Sequence, residues 1–146
     1  MIDEVIADKS EWPRGEWDNE PDYLEWIDEQ TGLLCKIKRN IKLGNLCGYV
    51  TVPNLNGICD DDYCDHLGIQ VHGGITFSMK KDEGHVFGFD CAHAGDLIPV
   101  VKMNYIMLER IWGKDFRSND TYRNIEYVKH ECKELAKQLK ELFNDK

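Results

Sequence analysis

The sequence has no apolar run approaching the roughly 20 residues of a membrane-spanning helix, so nothing in it reads as a membrane span. Its first residues, MIDEVIADKS, lack the basic stretch followed by an apolar one that marks a secretory leader. Both absences point to the cytoplasm, where Cys35, Cys47, Cys59, Cys64, Cys91 and Cys132 stay reduced. Nucleotide and hydrolase signatures are missing as well. Gly113-Lys114 is followed by Asp115, so no phosphate loop forms, and there is no GxGxxG run. His72-Gly73-Gly74 has the look of an esterase oxyanion loop, but no GxSxG elbow accompanies it. Basic residues are scarce too: 18 against 27 acids, a net charge of −9. Phosphate backbones are gripped by clustered Lys and Arg, so a nucleic-acid partner is not expected.

What is present describes one globular domain over residues 1–146, with 42% hydrophobic residues and length enough for a real core. The acidity is uneven. Residues 1–30 hold eleven acids against Lys9 and Arg14, and the remainder is balanced. Within that front, residues 1–19 read as irregular, broken by Pro13 and Gly15. Trp12, Trp17, Tyr23 and Trp26 sit among the acids, either as core residues or as a contact surface for a base or a protein partner.

Pro21 to Gln30 reads as a short helix, with Pro at its first position, Gly32 beyond its end and Tyr23, Trp26 and Ile27 inward. Leu33–Lys38 alternates as a half-buried strand, and Leu46–Val52 reads as a second strand ending at Pro53. Residues 53–68 form a long polar loop. His72–Lys80 and Gly84–Cys91 read as two strands joined at Lys81-Asp82-Glu83-Gly84, with Phe87, Phe89 and Cys91 on one side and Val86, Gly88 and Asp90 on the other. A helix from Pro99 through Met107 to Trp112 is expected. From Thr121 to Phe143, Ile125, Val128, Cys132, Leu135, Leu139 and Leu142 recur at helical steps, an amphipathic helix. The fold class is therefore α+β: a small antiparallel sheet with helices packed on one face, including a long C-terminal one.

Two metal readings arise from the same loops. Cys59, Cys64, His66, Cys91 and His93 have loose zinc spacing, with three aspartates between the first two thiols. Asp60, Asp62, Asp90, His93 and Asp96 provide the oxygen-rich set that Mg²⁺ or Mn²⁺ prefers, and would support a metal-dependent phosphoester hydrolase. Cys91 with His93 lacks an orienting group and an oxyanion hole for nucleophilic work.

The hairpin itself supplies a third reading. The start of one antiparallel strand lies beside the end of its partner. That places His72, Gly73 and Gly74 next to Asp90, Cys91, His93, Gly95 and Asp96 at one edge of the sheet. Glycines there leave backbone N–H groups open to a ligand. These eight residues are the expected site for a small polar ligand, with no cofactor.

The stretches EPDYLEWIDEQTGLLCKIKRN, LGNLCGYVTVP, VHGGITFS, FGFDCAHAGD and YRNIEYVKHECKELAKQL, in this order, resemble small proteins encoded by tailed phages and prophages. The resemblance implies a host-cell cytosol and action by binding rather than turnover, as anti-defence factors act. Sequestering a nucleotide immune signal, with a homo-oligomer completing the pocket, is the expectation. The alternatives are the metal-dependent hydrolase and an acidic inhibitor docking on a host enzyme.

Overall fold

The computed structural model describes residues 7–53, 68–101, 107, 110–111 and 120–143. Five strands form one antiparallel sheet: β1 (Tyr23–Ile27), β2 (Leu34–Arg39), β3 (Leu46–Val52), β4 (Phe77–Lys81) and β5 (Gly84–Asp90), ordered β1-β2-β3-β5-β4. One long helix, α1 (Ile125–Phe143), packs on β2 and β3. The fold is α+β, as expected. Among the described residues α1 is the one long helix on the sheet, and none is long and apolar enough to cross a membrane.

Alternation decides which side chains go inside. Cys35 and Ile37 of β2, Val50 of β3 and Phe87 and Phe89 of β5 are essentially inaccessible. They meet Val128, Cys132, Leu135 and Leu139 of α1, spaced at the three-and-four step that lines one helix face. Burying each of these large side chains contributes about 1.5–3 kcal/mol. Glu126, Lys129, His130, Lys133 and Lys137 stay exposed on the other flank.

The expected helix over residues 21–30 is instead the edge strand β1. Tyr23 pairs with Lys38 and Ile27 with Leu34, so Leu24 and Trp26 turn to the core side while Ile27 is 58% exposed. The YLEWI run has strand alternation and strand-forming residues, and pairing with β2 overrides the Pro21 helix-start signal. The front segment is also less irregular than expected, because Glu16–Asn19 makes a 3-10 turn that buries Trp17.

Buried Arg39 ties this front to the body. It donates to Asp22 at 2.6 Å, to the Gly44 carbonyl and the Tyr122 hydroxyl at 2.9 Å, and to Glu20 at 3.3 Å. The other oxygen of Glu20 accepts the Ile125 N–H, the first of α1. Two of the front's acids therefore have internal partners. Of the helix expected over residues 99–112, Pro99–Val101 is a 3-10 turn and residues 107, 110 and 111 are helical. Its remaining residues, and the loop carrying Cys59, Asp60, Asp61, Asp62, Cys64, Asp65 and His66, lie outside the described residues.

Candidate functional site

The strand expected from His72 is shorter than its sequence pattern. Pairing begins at Phe77, and residues 71–74 instead close a turn in which the Gly74 N–H donates to the Val71 carbonyl. Gly73 takes φ +69°, a left-handed conformation that glycine adopts without steric cost. That turn drops His72 towards α1, where Glu131 accepts its backbone N–H at 2.8 Å. Beyond β5, the Asp96 N–H donates to the His93 carbonyl and makes a second tight turn. Residues 95–97 then pair with Thr121, which holds the segment entering α1 against this corner.

Asp96 is the hub. Its side chain is fully enclosed; it accepts from His72 Nε2 at 2.8 Å, the His93 backbone N–H at 3.0 Å and Arg123 Nε at 2.9 Å. Burial alone would raise its pKa, but the bonds from His72, Arg123 and the His93 amide outweigh this and hold the carboxyl below the ordinary carboxylate range. A carboxylate only accepts, so His72 donates from Nε2. In the neutral ring Nδ1 then accepts from the Tyr127 hydroxyl, 2.7 Å away. Arg123, whose bond to Asp96 keeps it firmly protonated, lies 4.9 Å over the Tyr127 ring. A continuous chain thus runs Arg123–Asp96–His72–Tyr127.

His93 lies above this chain, its ring centroid 6.0 Å from that of His72. The ring packs flat against Gly73, where a Cβ would fall 2.3 Å from its atoms. Nε2 is buried and stands 2.7 Å from Asp90 Oδ1, an ion pair if the ring is protonated, but it has no hydrogen-bond partner. Asp90 itself is one-third exposed.

The structure therefore brings His72, Gly73, Asp90, His93 and Asp96 to one corner, with Gly74 and Gly95 on its rim. Nothing among the described residues stands within 4 Å of where a side chain on either rim glycine would start. Cys91 does not join them. It points into the core at 2% exposure, and burial raises its thiol far above the ordinary value, so it is neither a nucleophile nor a ligand contact. Asp96 is buried beneath the corner and acts through His72, His93 and Arg123.

Sequence reasoning did not identify Arg123, Tyr127 and Glu131. A signal for them exists: Tyr127 and Glu131 are four apart on one helix flank, just after Asn124, whose side chain caps the Tyr127 N–H. Among the described residues no three His, Cys, Asp or Glu side chains are grouped to hold a metal ion. Asp60 and Asp62, needed for the Mg²⁺ or Mn²⁺ set, lie outside them.

A larger groove, about 650 Å³, runs between β1 and α1. Its walls are long surface side chains of both signs, such as Glu25, Glu29, Lys129 and Lys133. It lacks the interlocked buried bonds that hold the His72–Asp96 corner rigid, so its size alone does not make it the better site. No family model, no curated protein and no solved structure matches the chain.

Proposed function

We propose that the protein binds a small polar ligand carrying an anionic group, a nucleotide-like molecule, at the His72–Asp96 corner and holds it without turnover. The observation that carries this reading is the Arg123–Asp96–His72–Tyr127 chain lying beneath an unpartnered His93 nitrogen. Every buried charge in that chain is already matched, so the corner is rigid before a ligand arrives, which lowers the ordering cost of binding. His93 and Arg123 offer donors to phosphate or carboxylate oxygens, and the rim glycines leave backbone exposed beside them. Asp90 offers an acceptor for hydroxyl or amino groups.

Binding is favoured over catalysis because the one thiol at the corner faces the core and, among the described residues, no base–nucleophile pair faces outward there. In the tailed-phage setting that the sequence resemblance implies, such a protein sequesters a host signal nucleotide in the host cytosol.

Calorimetric titration with a panel of linear and cyclic nucleotides, with product analysis of each mixture, tests the reading. The wild type should bind at least one member, release no product, and lose about tenfold or more in affinity on His93→Ala, with Lys133→Gln as a neutral control. Binding unaffected by His93→Ala overturns the site. Turnover that is lost to a chelator and restored by Mn²⁺ establishes the hydrolase instead.

A further inference from the structure

The face of the sheet turned away from α1 holds a second set of side chains that the corner does not use. By register, Tyr49 of β3 lies opposite Gly88 of β5, and Gly88 lies opposite Phe77 of β4. A Cβ on Gly88 would fall 2.6 Å from the Tyr49 ring, so the glycine lets that ring lie down across the strand. Tyr49 and Phe77 then meet edge to face, with centroids 5.5 Å apart. Lys38 stands 5.8 Å from the Tyr49 ring and Lys81 5.8 Å from the Phe77 ring. Around them is a recess of about 140 Å³, also lined by Lys36, Glu83 and Val86.

The charges here run against the chain's net −9. Lys36 is shared between Glu25 and Glu83. Among the described residues, no carboxylate lies within ion-pair distance of Lys38 or Lys81. Two flat rings with two unmatched ammonium groups form a surface for a flat, electron-rich ring carrying negative charge nearby.

The platform adjoins the corner. Asp90 is two residues beyond Gly88 on the same strand and face, about 7 Å along it. Thr76, next to Phe77, donates to Asp90 at 3.4 Å, and His93 stands 2.7 Å from the other oxygen of Asp90. Along one strip the order is therefore rings, carboxylate, imidazole.

We infer that this strip reads a whole ribonucleoside monophosphate: the base on Tyr49 and Phe77, the ribose hydroxyls on Asp90, the phosphate at His93. The inference rests on the small-ligand reading of the corner and names its ligand class. Lys38 and Lys81 would flank the base and face its ring-nitrogen acceptors. Asp90 suits the hydroxyls that only a sugar brings there.

Calorimetry with inorganic phosphate, adenosine, AMP and dAMP tests it, on the wild type and on Phe77→Ala, Lys38→Gln/Lys81→Gln and His93→Ala. Circular dichroism confirms that each variant is folded. AMP should bind at least tenfold tighter than phosphate, and Phe77→Ala should remove most of that advantage while leaving phosphate affinity unchanged. The double lysine variant should weaken AMP severalfold. dAMP should bind more weakly than AMP, because an Asp90 contact is lost. If AMP binds no tighter than phosphate, or if Phe77→Ala leaves their ratio intact, the platform is wrong and the corner stands. If phosphate and AMP both ignore His93→Ala, or neither binds, the corner reading falls and the inference falls with it.

Discussion

At the level of single residues, the corner depends on a glycine and an aspartate whose roles are steric and electrostatic. Gly73 has φ +69° and gives its face to the His93 ring. Gly73→Ala would impose a left-handed backbone on a Cβ and drive that Cβ into the imidazole. It should cost about 1–3 kcal/mol and displace His93, weakening ligand binding more than its stability cost explains. Chemical denaturation alongside titration separates the two effects. Asp96 governs pH dependence. Its carboxyl titrates below the ordinary value in the folded chain, as does that of Asp22, and burial likewise lowers the imidazole of His85. In each case the unfolded chain takes up protons first. Stability should begin to fall below about pH 6.5 as His85 is disfavoured, then steeply below about pH 4 as the carboxylates lose their partners. Melting temperatures from pH 8 to 3 check this, and Asp96→Asn should flatten the acid limb while costing about 2–3 kcal/mol near neutrality. His72, Asp90, His93 and Asp96 were legible as a group because their chemistry and hairpin spacing coincide. Cys91 was misplaced among them because strand alternation sends it to the opposite side from Asp90.

Elements were legible where the hydrophobic period had no competitor. β3 spans the expected residues, and α1 differs in extent only at its start, where Asn124 and Glu20 satisfy the first free N–H groups, while Leu142 of the expected inward stripe is exposed. β1 was misread because Pro21 and Gly32 imitate helix boundaries, whereas the five residues between Asp22 and Asp28 alternate as a strand. The first half of the expected His72 strand failed for a related reason: consecutive glycines at 73 and 74 favour a turn over a ladder. That turn delivers His72 to the helix, so the element-level error lies at the residue that defines the site. The sheet and helix also meet closely at Gly48, where a Cβ would stand 2.5 Å from the Phe89 ring and 2.7 Å from Cys132 Sγ. Gly48→Ala should therefore cost about 1–3 kcal/mol by overpacking, read as a lower midpoint in urea at an unchanged slope.

For the whole molecule, charge and topology together set where the His72–Asp96 corner lies. The acidic front is not simply a free surface, because Glu20 and Asp22 pair with buried Arg39 and Trp17 is 2% exposed. The inhibitor reading thereby loses two acids and one tryptophan from its contact surface. The α+β class was legible from the order of elements. The arrangement of the corner was not, since Arg123 and Tyr127 reach it from some thirty residues beyond Asp96 through a bridge at Thr121 that no local pattern announces. The most direct test of the central claim is an amide chemical-shift map of the isotopically labelled protein titrated with AMP. Shifts concentrated at residues 49, 72–77 and 88–96 are the predicted result. Shifts confined to the β1–α1 groove at residues 24–30 and 126–133, or none at saturating AMP, would contradict it.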